Sequence, residues 1–169
     1  MVKNSFIDNE YDDEEEDTLQ DMYLIFCCAD RHYSVEVRYV SEIVALQTVT
    51  EIPDMPSYFK GVINLRGKIL PVLDMRLRLG YSEMQYHERT CCIVSDKFGM
   101  IVDSVTEVAR IPASEITGAP NIGEGVSHQY VSGVSRSAEE LRIILNIKSL
   151  LDPSEGQDEL MSALNKTVQ

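Results

Sequence analysis

The stretch Gly61-Val62-Ile63-Asn64-Leu65-Arg66-Gly67-Lys68-Ile69-Leu70-Pro71-Val72-Leu73-Asp74 decides how this chain folds. Two apolar, β-prone runs meet at Arg66-Gly67, and Gly67 can take the positive φ that the second position of a tight hairpin turn needs. With Arg66-Gly67 as a two-residue turn, Leu65 faces Lys68, Asn64 faces Ile69, Ile63 faces Leu70 and Val62 faces Pro71. Both faces of such a hairpin carry apolar residues. One face fills a core, so the other must meet a second layer or a partner. Pro71 has no amide to give to a ladder, which predicts an edge position or a bulge. Asp74 is placed to cap a short helix from Met75 to Leu79, and Gly80 to end it.

At 169 residues and 44% hydrophobic content, the chain can bury a full core. No apolar run approaches the roughly 18 residues of a membrane helix, and no charged-then-apolar start marks a signal peptide. A soluble cytoplasmic protein is expected. The four cysteines form two adjacent pairs, Cys27-Cys28 and Cys91-Cys92, each in a strand-like run whose neighbours point to opposite faces. Reduced thiols are therefore expected. Residues 1–21 hold nine acids against Lys3, which is −8 of the total −13. They read most simply as an acidic, disordered, solubilising tail. A pI of 4.5 without a basic stripe argues against nucleic acid and anionic membrane as partners.

Past the tail, Met22 to Ala29 reads as a buried strand, Asp30-Arg31-His32 as a turn and Tyr33 to Val37 as the returning strand. Arg38 to Glu42 forms a helical turn before a strand Ile43 to Leu46, and a loop around Pro53 and Pro56 leads to the Gly61 hairpin. A similar order resumes at Arg89: a strand Thr90 to Ser95, a turn Asp96-Lys97, a strand Phe98 to Val102, then Val105 to Val108. At an offset of 65, Tyr33 meets Phe98, Val35 meets Met100, Val37 meets Val102, Val40 meets Val105 and Glu42 meets Glu107. At an offset of 72, Gly61-Val62 meets Gly133-Val134, and Val72-Leu73-Asp74 meets Ile144-Leu145-Asn146. This is an internal repeat, with copies at about 22–80 and 89–151.

Short strands, Gly turns and no helical crossovers predict a mostly β fold: two interleaved five-stranded barrels with short capping helices. The connection Ile111 to Gln129, rich in Gly, Pro, Ser and Asn, is expected on the surface. Asn146 suits a cap for a short helix Ile147 to Leu151. In the polar segment 153–169, Leu160, Met161 and Leu164 sit at helical spacing, which predicts a docked C-terminal helix.

Catalytic chemistry is not visible in the sequence. His32, His87 and His128 lie in turn or loop contexts without an adjacent nucleophile, and no phosphate loop, nucleophile elbow or zincin helix occurs. Structural zinc sites use Cys-x2-Cys knuckles, whereas adjacent cysteines alternate faces, so neither a metal nor another cofactor is expected. The class-level alternatives are a protein-binding module and a small-ligand-binding β-barrel.

The run Tyr58 to Arg78, with Val40-Ser41-Glu42-Ile43 before it and Val102-Asp103-Ser104-Val105, Tyr130-Val131-Ser132-Gly133 and Leu145-Asn146-Ile147 after it, resembles the CheW family of chemotaxis coupling proteins. The similarity spans about residues 22–152, and its Gly-x-x-Asn-Leu-Arg-Gly core is the most specific part. The resemblance implies two SH3-like β-barrels and no catalysis. It also implies a scaffold, monomeric in isolation, that couples chemoreceptor tips in membrane-associated arrays to the regulatory domain of a histidine kinase. Carried over by motif, Val40, Glu42, Ile43 and Arg66 belong to the receptor and kinase surface, and Gly61, Asn64 and Gly67 shape it. Cys91, on a strand near the groove between the barrels, and Val105 are expected to belong to the same receptor- and kinase-binding set. Glu42 and Arg66 are expected to form a pair.

Overall fold

The computed structural model describes residues 19–118, 130–137 and 140–151. The expected acidic tail, except Leu19 to Asp21, and the expected C-terminal helix lie outside them. Eleven strands run in order among the described residues: β1 Met22–Cys28, β2 Arg31–Glu36, β3 Glu42–Ala45, β4 Phe59–Leu65, β5 Lys68–Asp74, β6 Cys91–Val94, β7 Gly99–Val102, β8 Ser104–Arg110, β9 Ile116–Gly118, β10 Val131–Ser137 and β11 Glu140–Leu145. They form two sheets, β8-β1-β2-β11-β10-β9 and β3-β6-β7-β5-β4. The fold is mostly β in two subdomains, as expected, although the first sheet has a sixth short strand.

The Gly61 hairpin adopts the register read from its turn: Leu65 opposite Lys68, Asn64 opposite Ile69, Ile63 opposite Leu70 and Val62 opposite Pro71. Arg66 and Gly67 both have positive φ, 52° and 87°, the primed turn whose twist matches a right-twisted ribbon. Pro71, however, is not on an edge strand, because β5 is flanked by β4 and β7. Val62 directs its amide and carbonyl to Thr50, each bond 2.9 Å, so the Pro71 nitrogen faces away from β4. Pairing with β7 covers only Val72 to Asp74, which leaves no partner that would need a Pro71 amide.

The first hairpin departs from the expected turn. Ala29 and Asp30, φ 53° and 60°, form it, and Arg31 and His32 already belong to β2, opposite Cys28 and Cys27. The long connection after β8 is also more regular than expected: Ala113–Glu115 makes a 3-10 turn and β9 pairs with β10. Asp74 caps the short helix α1, Met75–Arg78, accepting from the Arg76 amide at 2.9 Å. Asn146 repeats this at the amide of Lys148, 3.1 Å, opening the 3-10 turn Ile147–Leu151.

The repeat holds at the level of register. Gly61 is opposite Val72 and Gly133 opposite Ile144, each beside a bulge. Val44 is opposite Cys92, and Ala109 opposite Tyr23. Each sheet nonetheless combines both copies: the parallel pairs β2 with β11 and β5 with β7 join the opening hairpin of one copy to the closing hairpin of the other. Strand alternation then serves two layers. Ile63, Leu70, Val72, Cys92, Val94 and Ile101 fill the second barrel, and Tyr23, Ile25, Ile111 and Ile144 the first. Residues on the opposite faces, among them Leu24, Phe26, Val35, Leu73, Ile93, Met100 and Leu145, form one larger core shared by both sheets. That shared core is the second layer the two-faced hairpin required. Cys28 and Cys92 are buried and all four thiols are unpaired; burial foremost pushes both of these up to about 12.

A half-buried clamp locks the sheets together. Asp103, at the crossover from β7 to β8, receives three charge-assisted bonds from Arg76 of α1, from Nε to both carboxylate oxygens at 2.9 and 3.0 Å and from Nη2 at 2.7 Å, and one from the Ala29 amide, 3.0 Å. The hydroxyls of Tyr33 and Tyr81 meet at 2.5 Å. Burial raises the Asp103 carboxyl, but the Arg76 and Ala29 hydrogen bonds more than reverse this and hold it below the ordinary range.

Two predictions follow from this packing. A Cβ at Gly61, φ 143°, would sit 2.0 Å from the Thr50 carbonyl oxygen, whereas one at Gly80 meets nothing within 4 Å. Gly61→Ala is expected to cost about 3 kcal/mol or more, and Gly80→Ala about 1 kcal/mol, in urea unfolding. Equal costs would show that the close approach carries no energy. Asp103→Asn is expected to destabilise by about 2 kcal/mol or more at pH 7. Because the folded pKa is depressed, wild type holds this advantage above the carboxylate range and loses it as pH falls through that range. Stability curves of the two proteins that fail to converge toward pH 3 would assign the loss to packing instead.

Candidate functional site

Three chain reversals meet at one end of the second barrel: the start of β3, the β4–β5 turn and the β6–β7 turn. The antiparallel register of β3 on β6 places Glu42 opposite Val94, and the Ser41 amide reaches the Val94 carbonyl at 2.7 Å. The Asn64 side chain accepts from the Gly67 amide at 2.8 Å, closing the β4–β5 turn from within. That presents Arg66 outward, where its Nη2 donates to Glu42 Oε1. The expected Glu42–Arg66 pair is present. Lys68 Nζ donates to the Asp96 carbonyl at 2.9 Å and ties in the third turn.

This ion pair is exposed, Arg66 by 71% and Glu42 by 29%, so its contribution to fold stability is small, under about 1 kcal/mol. Ile43 and Ile69 are 44% and 40% exposed. Ile43 follows Glu42 on β3 with its side chain on the other face, and Ile69 lies opposite Asn64 on the hairpin that carries Arg66, so exposed apolar and charged residues share these elements, as they do on protein-docking surfaces.

The remaining candidates separate from this surface. Gly61 is buried, and its role is the close approach of β4 to Thr50. Val40, Cys91 and Val105 are half-buried and pack on the shared core, where a backbone hydrogen bond joins Val105 to the Cys91 sulfur; burial chiefly raises that thiol. Since β6 and β8 lie in different sheets, the Cys91–Val105 contact is on the seam between barrels. Val40 connects the two regions, two residues before Glu42. The nine candidates thus fall into an outer turn surface, a seam and one buried packing position.

Ile69, Lys68 and Asp96 were not among the sequence candidates. The signal for Ile69 was available, since it is the apolar residue on the Asn64 face of the hairpin. In the other sheet Val108 and Leu141, equivalents of Ile43 and Ile69, are 52% and 56% exposed, and Glu107, equivalent of Glu42, pairs at 2.8 Å with Arg142, a β11 residue that corresponds to Leu70 and not to Arg66. No helix among the described residues is long and apolar enough to cross a membrane.

A family model described as a CheW-like domain matches residues 22–155. Chemotaxis protein CheW of Klebsiella aerogenes is 32% identical over 143 residues, 82% of this chain and 86% of that protein. Chemotaxis protein CheW of Bacillus subtilis is 31% identical over 141 residues, 79% of this chain and 88% of that protein. Among solved structures, the scaffolding protein TtCheW from Thermoanaerobacter tengcongensis superposes with a TM-score of 0.73 at 29% identity, covering 78% of this chain and 92% of that chain. With a two-subdomain β fold built on the Gly-x-x-Asn-Leu-Arg-Gly hairpin, and a family model matched over most of its length, the chain belongs to the CheW-like domain family.

Proposed function

We propose that this protein is a non-catalytic adaptor that couples chemoreceptor tips to the regulatory domain of a chemotaxis histidine kinase, working at cytoplasmic receptor arrays. The observation that carries the reading is the exposed Glu42–Arg66 pair, held where β3 begins and at the turn that joins β4 to β5. These side chains bind rather than react, and the fold spends no stability on holding them there. Val40, Cys91 and Val105, on the seam between barrels, are the residues a receptor helix would meet, and the turn surface faces a second partner or the flank of the first. Membership of the family and the likeness to proteins named for chemotaxis and scaffolding support the assignment. A small-ligand module would need an open groove between the barrels, whereas buried side chains such as Phe26, Met100 and Leu145 occupy the layer between the sheets.

The test is reconstitution with a receptor signalling fragment and the kinase. Arg66→Ala and Glu42→Ala are each expected to reduce receptor-coupled kinase activity several-fold, while the unfolding midpoint moves by no more than a surface pair allows. Because each single change already breaks the shared contact, the double variant is expected to lose less than the two singles combined. Additive losses would mean that the two side chains contact partners independently. Full coupling by the double variant would remove the surface from the function.

A further inference from the structure

The repeat superposes the interiors of the two barrels, and there the chemistry differs. At the offset of 72, Ile63 and Leu70 correspond to Ser135 and Arg142. Each couple is a cross-strand pair at the same register of its hairpin. Ile63, Leu70 and Ser135 are buried, and the Arg142 side chain is only 13% exposed. Ser135 is also opposite Ile116, and Arg142 precedes Ile144 by two residues, so this pair shares the inner face of the first barrel. Ser34, fully buried, lies between Ile25 and Ile144 in the same layer. Among the described residues the Ser34 and Ser135 hydroxyls and the Arg142 Nε have no hydrogen-bond partner. The ion pair of Arg142 goes to Glu107, which is half open to water.

Backbone pairing does not offset this difference. Each hairpin has six paired positions, and a three-residue parallel ladder joins each to the rest of its sheet, β5 to β7 and β11 to β2. β9 adds three pairs to the first barrel where the second has a single bridge from Thr50 to Val62. Those three lie on a largely exposed edge, where water replaces the bonds at little cost. Opening the second barrel would wet Ile63 and Leu70, which water disfavours. Opening the first wets two hydroxyls and a guanidinium, which water satisfies. We infer that the β10–β11 hairpin is a flap, which swings off β2 in the native protein by an opening local to the first barrel while β4–β5 stays closed. The open state frees the β2 edge from His32 to Ser34 and uncovers Leu145 of the shared core. The flap is a property of the barrel interior and does not depend on the adaptor role.

The test is native-state hydrogen exchange on the full chain, read as protection factors at equivalent ladder positions. In wild type, the amides of Ile144 and Leu145 are expected to be at least about tenfold less protected than those of Val72 and Leu73. S135I/R142L installs the apolar pair of the other barrel, and S135A/R142M takes its place should the larger side chains fail to pack. The swap is expected to slow exchange at Ile144 and Leu145 at least about tenfold. Ile63→Val weakens only the second barrel, so it is expected to speed exchange at Val72 and Leu73 several-fold and leave Ile144 and Leu145 unchanged, because the flap opens with Ile63 still buried. Equal protection of the two hairpins in wild type would overturn the proposal. So would a swap that brings Ile144 and Leu145 no added protection, or an Ile63→Val chain in which both hairpins speed up together.

Discussion

Two short parallel pairings, β2 with β11 and β5 with β7, hold three residue pairs each and make the two copies one molecule. Each joins the opening hairpin of one copy to the closing hairpin of the other, so neither copy contains a complete barrel. A hairpin alone is marginal in water. The opening hairpin of either copy becomes stable only when strands from the other copy extend its sheet and the shared core covers its second face. The large apolar layer from Leu24 and Phe26 to Met100 and Leu145 is therefore a requirement of the connectivity. The seam that carries Val40, Cys91 and Val105 exists because that layer has an edge.

Charge pairs in this fold divide by burial. Arg76–Asp103 is 15% and 19% exposed, its carboxylate also holds the Ala29 amide, and its pKa is depressed. Removing one partner strands a charge in a desolvated place, which is why such a pair fixes the angle between sheets. Glu42–Arg66 is far more exposed, and water replaces either partner cheaply. A side chain that the fold does not need is free to be specified by a partner. The same argument separates Gly61, whose backbone has no room for a Cβ, from Gly67, whose surroundings are open.

Local pattern made part of this legible. The hairpin register, the Asp74 and Asn146 caps and the repeat offsets all follow from neighbours in sequence, and the Glu42–Arg66 pair followed once the motif was matched. Exchange of hairpins between sheets did not, because a parallel pairing of β2 with β11 joins residues about 110 apart and leaves no local trace. Pro71 misled for a related reason: whether a missing amide matters depends on which neighbour it faces. The first turn was misplaced because Ala29 is not a residue that advertises positive φ, and the Asp103 carboxylate bonded to its amide comes from 74 positions away. β9 was missed because Ile116-Thr117-Gly118 is too short to show alternation, and its pairing exists only because Gly133 lets Thr117 approach.

Duplication with retained register leaves side-chain charge as the variable. The ladders of the two copies align pair for pair, from the bulge at Gly61 and Gly133 to the bare apolar pairs Ile43 with Ile69 and Val108 with Leu141. At the equivalent helix-turn positions the backbone bonds also match, since Arg76 and Lys148 amides both reach a capping side chain. What changes there is one carboxylate, Asp103 in one copy against Arg38 in the other, and with it the role of the place. One copy neutralises its cation inside the chain and becomes a rigid joint. The other keeps its cations on the surface around Tyr39 and, among the described residues, pairs Arg38 only with Glu36, two residues before it, so the equivalent place holds a local, exposed ion pair and joins nothing across the sheets.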